Sequence, residues 1–318
     1  MQSISPLRRQ AALAICAALV GQSGCGPSGP AAAAIPTRSV GDCLKIAPVD
    51  LKAPRQGMAF VPGGRTKLGS DRYYEEEGPV RYATVGDFWI DTHEVTNGEF
   101  AAFVRATGYV TLAERKHAGG FVFFIPANVQ NMTNLAQWWK VSPDATWRRP
   151  DGGAVTAPAN YPAVQIAYPD ALAYARWRGR DLPTEAEWER AGRGADPTAD
   201  YAWGHELSPG GRFMANTWQG VFPVIDTGAD GFKGRAPEGC FPPNRYGLFD
   251  MIGNVWEWVK DPWTGAPAMP GSRVIKGGSF ICSEDFCQRF RPSARQPAEV
   301  DSGSSHIGFR TVLRVAAR

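Results

Sequence analysis

Cys282 and Cys287 are the side chains of this sequence best suited to redox or soft-metal chemistry. They sit in Ser279-Phe280-Ile281-Cys282-Ser283-Glu284-Asp285-Phe286-Cys287, with Gly277-Gly278 before them and Arg289-Phe290-Arg291 after. Two thiols with four residues between them can converge on one soft ion or close a small disulfide. A thiolate pair suits Cu(I), which accepts low coordination and can react with oxygen once a third sulfur arrives. The glycine pair opens backbone conformations closed to other residues, and the arginines place positive charge beside the thiols. Ser305-His306-Ile307-Gly308-Phe309-Arg310 closes the same region of the sequence.

The remaining cysteines separate by context. Cys16 lies in the apolar run Ala11 to Val20, which follows Arg8-Arg9 and precedes the small residues Gly21, Ser23 and Gly24. That order reads as an export signal over residues 1–24, too short for an ordinary spanning helix. Cys25 is a candidate for a lipid anchor, although Gln22 is a poor fit to the usual lipidation motif; simple cleavage is the other reading. Cys43 and Cys240 are candidates for a disulfide in an oxidising compartment. The sequence does not show whether they meet. The expected location is periplasmic.

Bulk composition excludes other classes. Lys and Arg total 34 against 31 acidic residues, a charge of +3; loss of Arg8 and Arg9 with a leader leaves +1. No electrostatic nucleic-acid surface is expected. The 318 residues, 43% hydrophobic, can bury a large core, while 36 glycines, 26 prolines and 11 tryptophans point to a turn-rich domain rather than a helical bundle. His93, His117, His205 and His306 are too scattered for a compact metal motif, and neither a P-loop nor a nucleophile-elbow sequence is present in a convincing context.

The elements that must position the thiols follow from pattern. Residues 25–55 are Ala-, Pro- and Gly-rich and read as a tether, so the globular region spans 56–318. Gly57 to Gly64 reads as a short strand and turn. Val80 to Ile90 is strand material, with Trp89 and Ile90 as core candidates. Asn97 is placed to cap a helix whose Phe100, Phe103 and Val104 share a face. A second helix starts near Pro169-Asp170, carries Leu172, Ala175 and Trp177, and stops at Gly179. Thr184 and Glu187 have capping-box spacing, so a third helix runs from there to about Gly192. Its carboxylates serve the cap rather than acid–base catalysis. From Trp203 to Trp263 the chain is irregular, and bound cations are one way to hold such a stretch.

Leu182-Pro183-Thr184-Glu185-Ala186-Glu187-Trp188-Glu189, Ala215-Asn216-Thr217-Trp218-Gln219-Gly220, Phe241-Pro242-Pro243-Asn244, Gly253-Asn254-Val255-Trp256-Glu257-Trp258 and the thiol segment together resemble the formylglycine-generating enzymes. The resemblance runs from about Gly57 to Arg310. It implies a single α+β, loop-rich domain akin to C-type-lectin-like folds. It also implies an oxidase that converts the cysteine of a Cys-x-Pro-x-Arg segment in a sulfatase to formylglycine, using molecular oxygen and a thiol reductant. By position Cys282 and Cys287 match the Cu(I)-binding pair, which the substrate cysteine completes, and Ser279 matches an active-site serine. Family members lacking the cysteine pair lack the known oxidase chemistry.

The resemblance further implies two structural calcium sites, the first at Asn216, Thr217, Asp230 and Phe232, the second at Asp250, Gly253, Val255 and Glu257. Three positions depart from the family pattern. Phe286 stands where tyrosine is common, His306 stands where asparagine is common, and Gln165-Ile166-Ala167-Tyr168 replaces His-Val-Ser-Trp. Two competing readings stay open: a non-catalytic peptide- or glycan-binding module on the same scaffold, and an iron-dependent oxidative enzyme, which would want a histidine site.

Overall fold

The segment between Gly57 and Gly64 opens the fold as a strand, β1 (Met58–Val61), and a hairpin of β2 (Gly64–Leu68) and β3 (Arg81–Val85) follows. The structure is a computed structural model that describes residues 43–116, 119–126, 134–194 and 196–315, all within one compact unit. The expected export signal, Cys16, Cys25 and His117 lie outside the described residues. No helix among those described is long and apolar enough to cross a membrane.

After β4 (Phe88–Asp91) comes α1 (Asn97–Thr107), the short α2 (Leu112–Lys116), β5 (Gly120–Phe123) and β6 (Trp139–Ser142). Next are α3 (Tyr168–Trp177), α4 (Glu185–Arg193) and the two-residue strands β7 (Gly220–Val221) and β8 (Ile225–Asp226). The chain closes with β9 (Trp256–Pro262), β10 (Arg273–Lys276), β11 (Arg295–Ala298), β12 (Gly303–Ser304), β13 (Ile307–Gly308) and β14 (Val312–Arg314). The sheets are small: β1-β4-β14, β11-β10-β9-β13 and β12-β5-β6, plus the β2-β3 and β7-β8 hairpins. β12 and β13 pair in parallel with β5 and β9, so the last segment stitches two sheets together.

The sequence places α1 and α4 for identifiable reasons. The cap of α1 is Thr96 rather than Asn97. Its hydroxyl accepts from the Glu99 N–H, while Glu99 reaches back to Thr96, and Asn97 is the first helical residue. Thr184 and Glu187 form the expected box on α4. Phe100 and Phe103 pack on Tyr174 of α3, and Phe100 and Tyr174 also meet Phe309, all buried. Ile90 joins this core, whereas Trp89 is half-buried and sits under the Arg55 guanidinium. Removing the Thr184 hydroxyl leaves a helix N–H without its partner, so Thr184→Ala should cost about 1 kcal/mol. A melt should fall by a few degrees with unchanged secondary structure; no shift would mean the cap is dispensable.

The part of the expected tether that is described is anchored. Cys43 is disulfide-bonded to Cys240, the Leu44 N–H donates to Glu238 O, and Arg180 donates to Pro54 O and Gln56 O. Residues 43–55 therefore belong to the folded unit.

Candidate active site

The thiol segment leaves β10 through Gly277 and Gly278, at φ 97° and 79°. A Cβ on Gly277 would lie 3.1 Å from Trp188, and one on Gly278 would lie 2.8 Å from Arg289 O, so both conformation and space require glycine. Donation from Gly253 N–H to Gly277 O and from Phe280 N–H to Asn254 O fastens the turn to the 250–255 loop. Trp218 N–H donates to Cys282 O.

Cys282 is buried and Cys287 half-buried, with their sulfurs 3.4 Å apart. A disulfide needs about 2.05 Å, so these are free thiols in contact. The pair divides its protons. The Cys282 thiol donates to Cys287, which lowers Cys287 to about 6 with help from backbone and side-chain donation by Arg289, while Cys282 is pushed well up. Arg289 Nη1 lies 4.0 Å from the Cys287 sulfur. The flanking arginines are not free charges: Arg289 Nε donates to Glu76 at 2.7 Å and its guanidinium stacks over Tyr74, while Arg291 pairs with Glu77 and stacks over Tyr73. In metal-free protein the Cys287 thiolate should persist well below the ordinary thiol range of about 8.5. Iodoacetamide labelling of Cys287 should then reach its plateau rate near pH 7. A rate still climbing tenfold per pH unit through pH 8 would show an ordinary thiol.

The thiols line a cavity of about 120 Å³ together with Phe123, Trp138, Trp139, Phe222, Phe286 and Trp256. Ser279, fully buried, lines it too, so the three sequence-derived catalytic candidates share one site. Two of the three family departures also lie here. Phe286 stacks on Phe222 at 4.6 Å and stays partly exposed. His306 lies 4.7 Å from the Trp139 ring, with Nδ1 2.7 Å from the Ser304 hydroxyl. Enclosure, with Arg235 nearby, pushes His306 down to about 3, so the imidazole is neutral at working pH. The third departure is structural: Gln165, at φ 58°, donates to Phe121 O and Pro150 O. A larger apolar groove of about 580 Å³ shares Trp139, Gln296 and His306 with the thiol cavity and has exposed Glu299 in its lining. Trp138 and Trp139 were not singled out from sequence; the adjacent indoles in a polar stretch were the available signal.

The two oxygen-rich sets differ. In the first, Asp230 is buried and accepts from the Thr217 and Phe232 N–H groups, and burial raises it to about 7. The Asn216 amide donates to Gly234 O and Asn254 Oδ1. A buried carboxylate with no side-chain cation bonded to it, in a carbonyl-rich loop, fits a calcium ion. In the second set the side chains are separately engaged. Glu257 accepts from Arg310 through both oxygens at 2.7 Å and from the Trp188 indole at 2.7 Å. Asp250 Oδ2 accepts from Gly239 N–H, and one Asp250 carboxylate oxygen lies within 4.8 Å of carboxylate oxygens of Glu94 and Glu238. Glu257 is thus not presented as a free ligand beside Asp250.

Fold and site together define a loop-rich α+β domain built around a partly buried dithiol. The chain belongs to the sulfatase-modifying factor enzyme 1-like domain family, which matches residues 46–315. It is 46% identical over 290 residues to a formylglycine-generating enzyme of Mycobacterium tuberculosis, covering 80% of this chain and 97% of that protein. The enzyme of the same name from Bos taurus is 38% identical over 320 residues, covering 92% and 85%. A Mus musculus relative named inactive C-alpha-formylglycine-generating enzyme 2 is 41% identical over 265 residues, covering 80% and 84%. PvdO from Pseudomonas aeruginosa shares the fold, with a TM-score of 0.59 at 24% identity over 81% of this chain and 94% of that one.

Proposed function

We propose that this chain is an exported, copper-dependent oxidase that converts the cysteine of a Cys-x-Pro-x-Arg segment in a sulfatase to formylglycine. The coarser statement, an enzyme of cysteine-to-formylglycine conversion, rests on kinship with enzymes of that name at 38–46% identity. The metal, the oxidant and the compartment are our reading. The observation that carries it is the pair of free thiols 3.4 Å apart lining an aromatic cavity.

Cys282 and Cys287 would hold Cu(I), which supplies one-electron chemistry with dioxygen when bound. The chain's own residues do the rest. Cys287 offers a thiolate without needing a strong base. The aromatic walls exclude water, and the narrow cavity admits one side chain. The apolar groove accepts an extended peptide, with Glu299 available to its arginine. Overall, the substrate β-carbon exchanges its sulfur, released as hydrogen sulfide, for an oxygen atom. Dioxygen takes up four electrons, two from the substrate's CH2–SH group and two, with two protons, from an external thiol pair that becomes a disulfide, and the net by-products are hydrogen sulfide and one water. Calcium at the Asn216–Phe232 loop would be structural. Export rests on Arg8-Arg9 and the apolar run after them, with Cys25 as the candidate lipid anchor.

The relative named inactive keeps a second reading in view, a module that binds peptides without reacting. The free thiols in the cavity adjoining the groove weigh against it. Incubation with a Cys-x-Pro-x-Arg peptide, copper, oxygen and a thiol reductant should yield an aldehyde detectable by hydrazide capture and mass spectrometry. Tight peptide binding with no aldehyde under any copper loading would favour the binding module.

A further inference from the structure

Resting on the oxidase reading above, we propose that Gln296 positions the substrate by binding the main chain of the residue that follows the reacting cysteine. It does so at the neck where the apolar groove meets the thiol cavity. Among the described residues, Trp139, Gln296 and His306 line both the groove of about 580 Å³ and the thiol cavity of about 120 Å³. A chain that lies in the groove while its cysteine reaches Cys282 and Cys287 must pass its backbone between these three side chains.

The fold turns Gln296 toward that passage. It lies on β11, an edge strand, directly opposite Ile275 of β10. Directly opposed residues of an antiparallel pair project from one face, and Ile275 also lines the groove. Gln296 is half-buried, and its side-chain amide has no hydrogen-bond partner among the described residues. Its neighbours in the groove wall include Met269, Pro297 and Ala298, which offer the amide no side-chain partner. One carbonyl oxygen and two N–H donors therefore stand unused at the neck. The other two neck residues are already engaged with their surroundings. His306 has Nδ1 2.7 Å from the Ser304 hydroxyl, and its ring lies 4.7 Å from that of Trp139.

Backbone polar groups of a peptide that leave water for apolar walls need new partners. In an extended chain the N–H and C=O of one residue point to the same side, as they do toward a neighbouring strand. A primary amide matches them: Oε1 accepts from the N–H, and Nε2 donates to the C=O. The residue so held is the one after the cysteine, because the groove takes the arginine of Cys-x-Pro-x-Arg beside Glu299. Fixing that residue aims the cysteine side chain into the thiol cavity. Gln296 thus acts through orientation and touches neither sulfur nor oxygen in the reaction.

The test compares two peptides on the full-length, copper-loaded protein. One is an ordinary Cys-x-Pro-x-Arg peptide; in the other an ester oxygen replaces the N–H of the residue after cysteine. Wild type should lose about tenfold in kcat/KM on the ester, the scale of one hydrogen bond in a desolvated site. Gln296→Leu should lose about tenfold on the ordinary peptide and then distinguish the two peptides by less than about twofold, because the bond is already gone. Its melting temperature and Cu(I) affinity should match wild type. A Gln296→Leu protein as active as wild type, or one that disfavours the ester as strongly, would overturn the proposal, and so would a wild type indifferent to the ester. If wild type forms no aldehyde, the oxidase reading fails by itself. Calorimetric binding of both peptides, with serine in place of cysteine, then decides the role of Gln296 by the same comparison. Should Gln296→Leu not fold, the unbranched Gln296→Met takes its place with the same outcomes.

Discussion

Cys282→Ser and Cys287→Ser should each abolish aldehyde formation, with losses on the order of a thousandfold or more and no further loss in the double variant. The reason lies in how the two sulfurs divide their labour. Cys287 is the more exposed and holds the thiolate because Cys282 donates to it. A serine at 282 can still donate a hydrogen bond, but an alcohol oxygen is a poor ligand for a soft ion. A serine at 287 removes the thiolate itself. Either change leaves one sulfur, so the two act as a unit and their effects cannot add. The fold should survive both substitutions, because the turn is held by Gly277, Gly278 and backbone bonds from Gly253, Asn254 and Trp218 rather than by the thiols. The check is hydrazide capture of product alongside a thermal melt. Full turnover by either single variant, at native melting temperature, would remove the dithiol from the mechanism.

What the sequence could disclose depended on range. Thr184 and Glu187 are three residues apart, and their box forms as expected because both partners belong to one helical turn. The same local logic misplaced the cap of α1 by one residue, since Thr96 and Asn97 are both good caps and only Glu99 selects the first. Gly277-Gly278 and the thiols five positions apart were legible because one turn brings them together. Long-range pairings were not. Nothing near Arg291 announces Glu77, and while Cys43 and Cys240 stand out as a candidate pair by context, whether they meet depends on how residues 214 positions apart, or 197 in the case of the disulfide, are brought together by the fold. Trp89 illustrates the converse. It reads as a core candidate beside Ile90, but adjacent strand residues face opposite sides, and on the half-open side Arg55 rather than the interior covers the indole. Glu94 and Glu238 look like ordinary surface acids in sequence; burial alone makes them noteworthy.

Arg310→Met should be the most destabilising single change, at about 3–5 kcal/mol, the usual cost of stranding a buried charge partner. Arg310 is fully buried, bonds both oxygens of Glu257, and donates to Asp91 O and Phe249 O. Methionine fills much of the volume but supplies no donor. Glu257 would keep only the Trp188 indole, and Glu94 would lose its nearest positive charge. The interior would then hold Glu94, Glu238, Asp250 and Glu257 without a guanidinium. At about 2–4 °C per kcal/mol for a domain approaching this size, the melting temperature should drop by roughly 10 °C. Adding Glu257→Gln should recover part of the loss, because a neutral amide tolerates the missing cation better than a carboxylate does, and contacting residues couple rather than add. An Arg310→Met protein that melts within about 1 kcal/mol of wild type, with or without calcium, would show that Glu257 does not depend on this guanidinium.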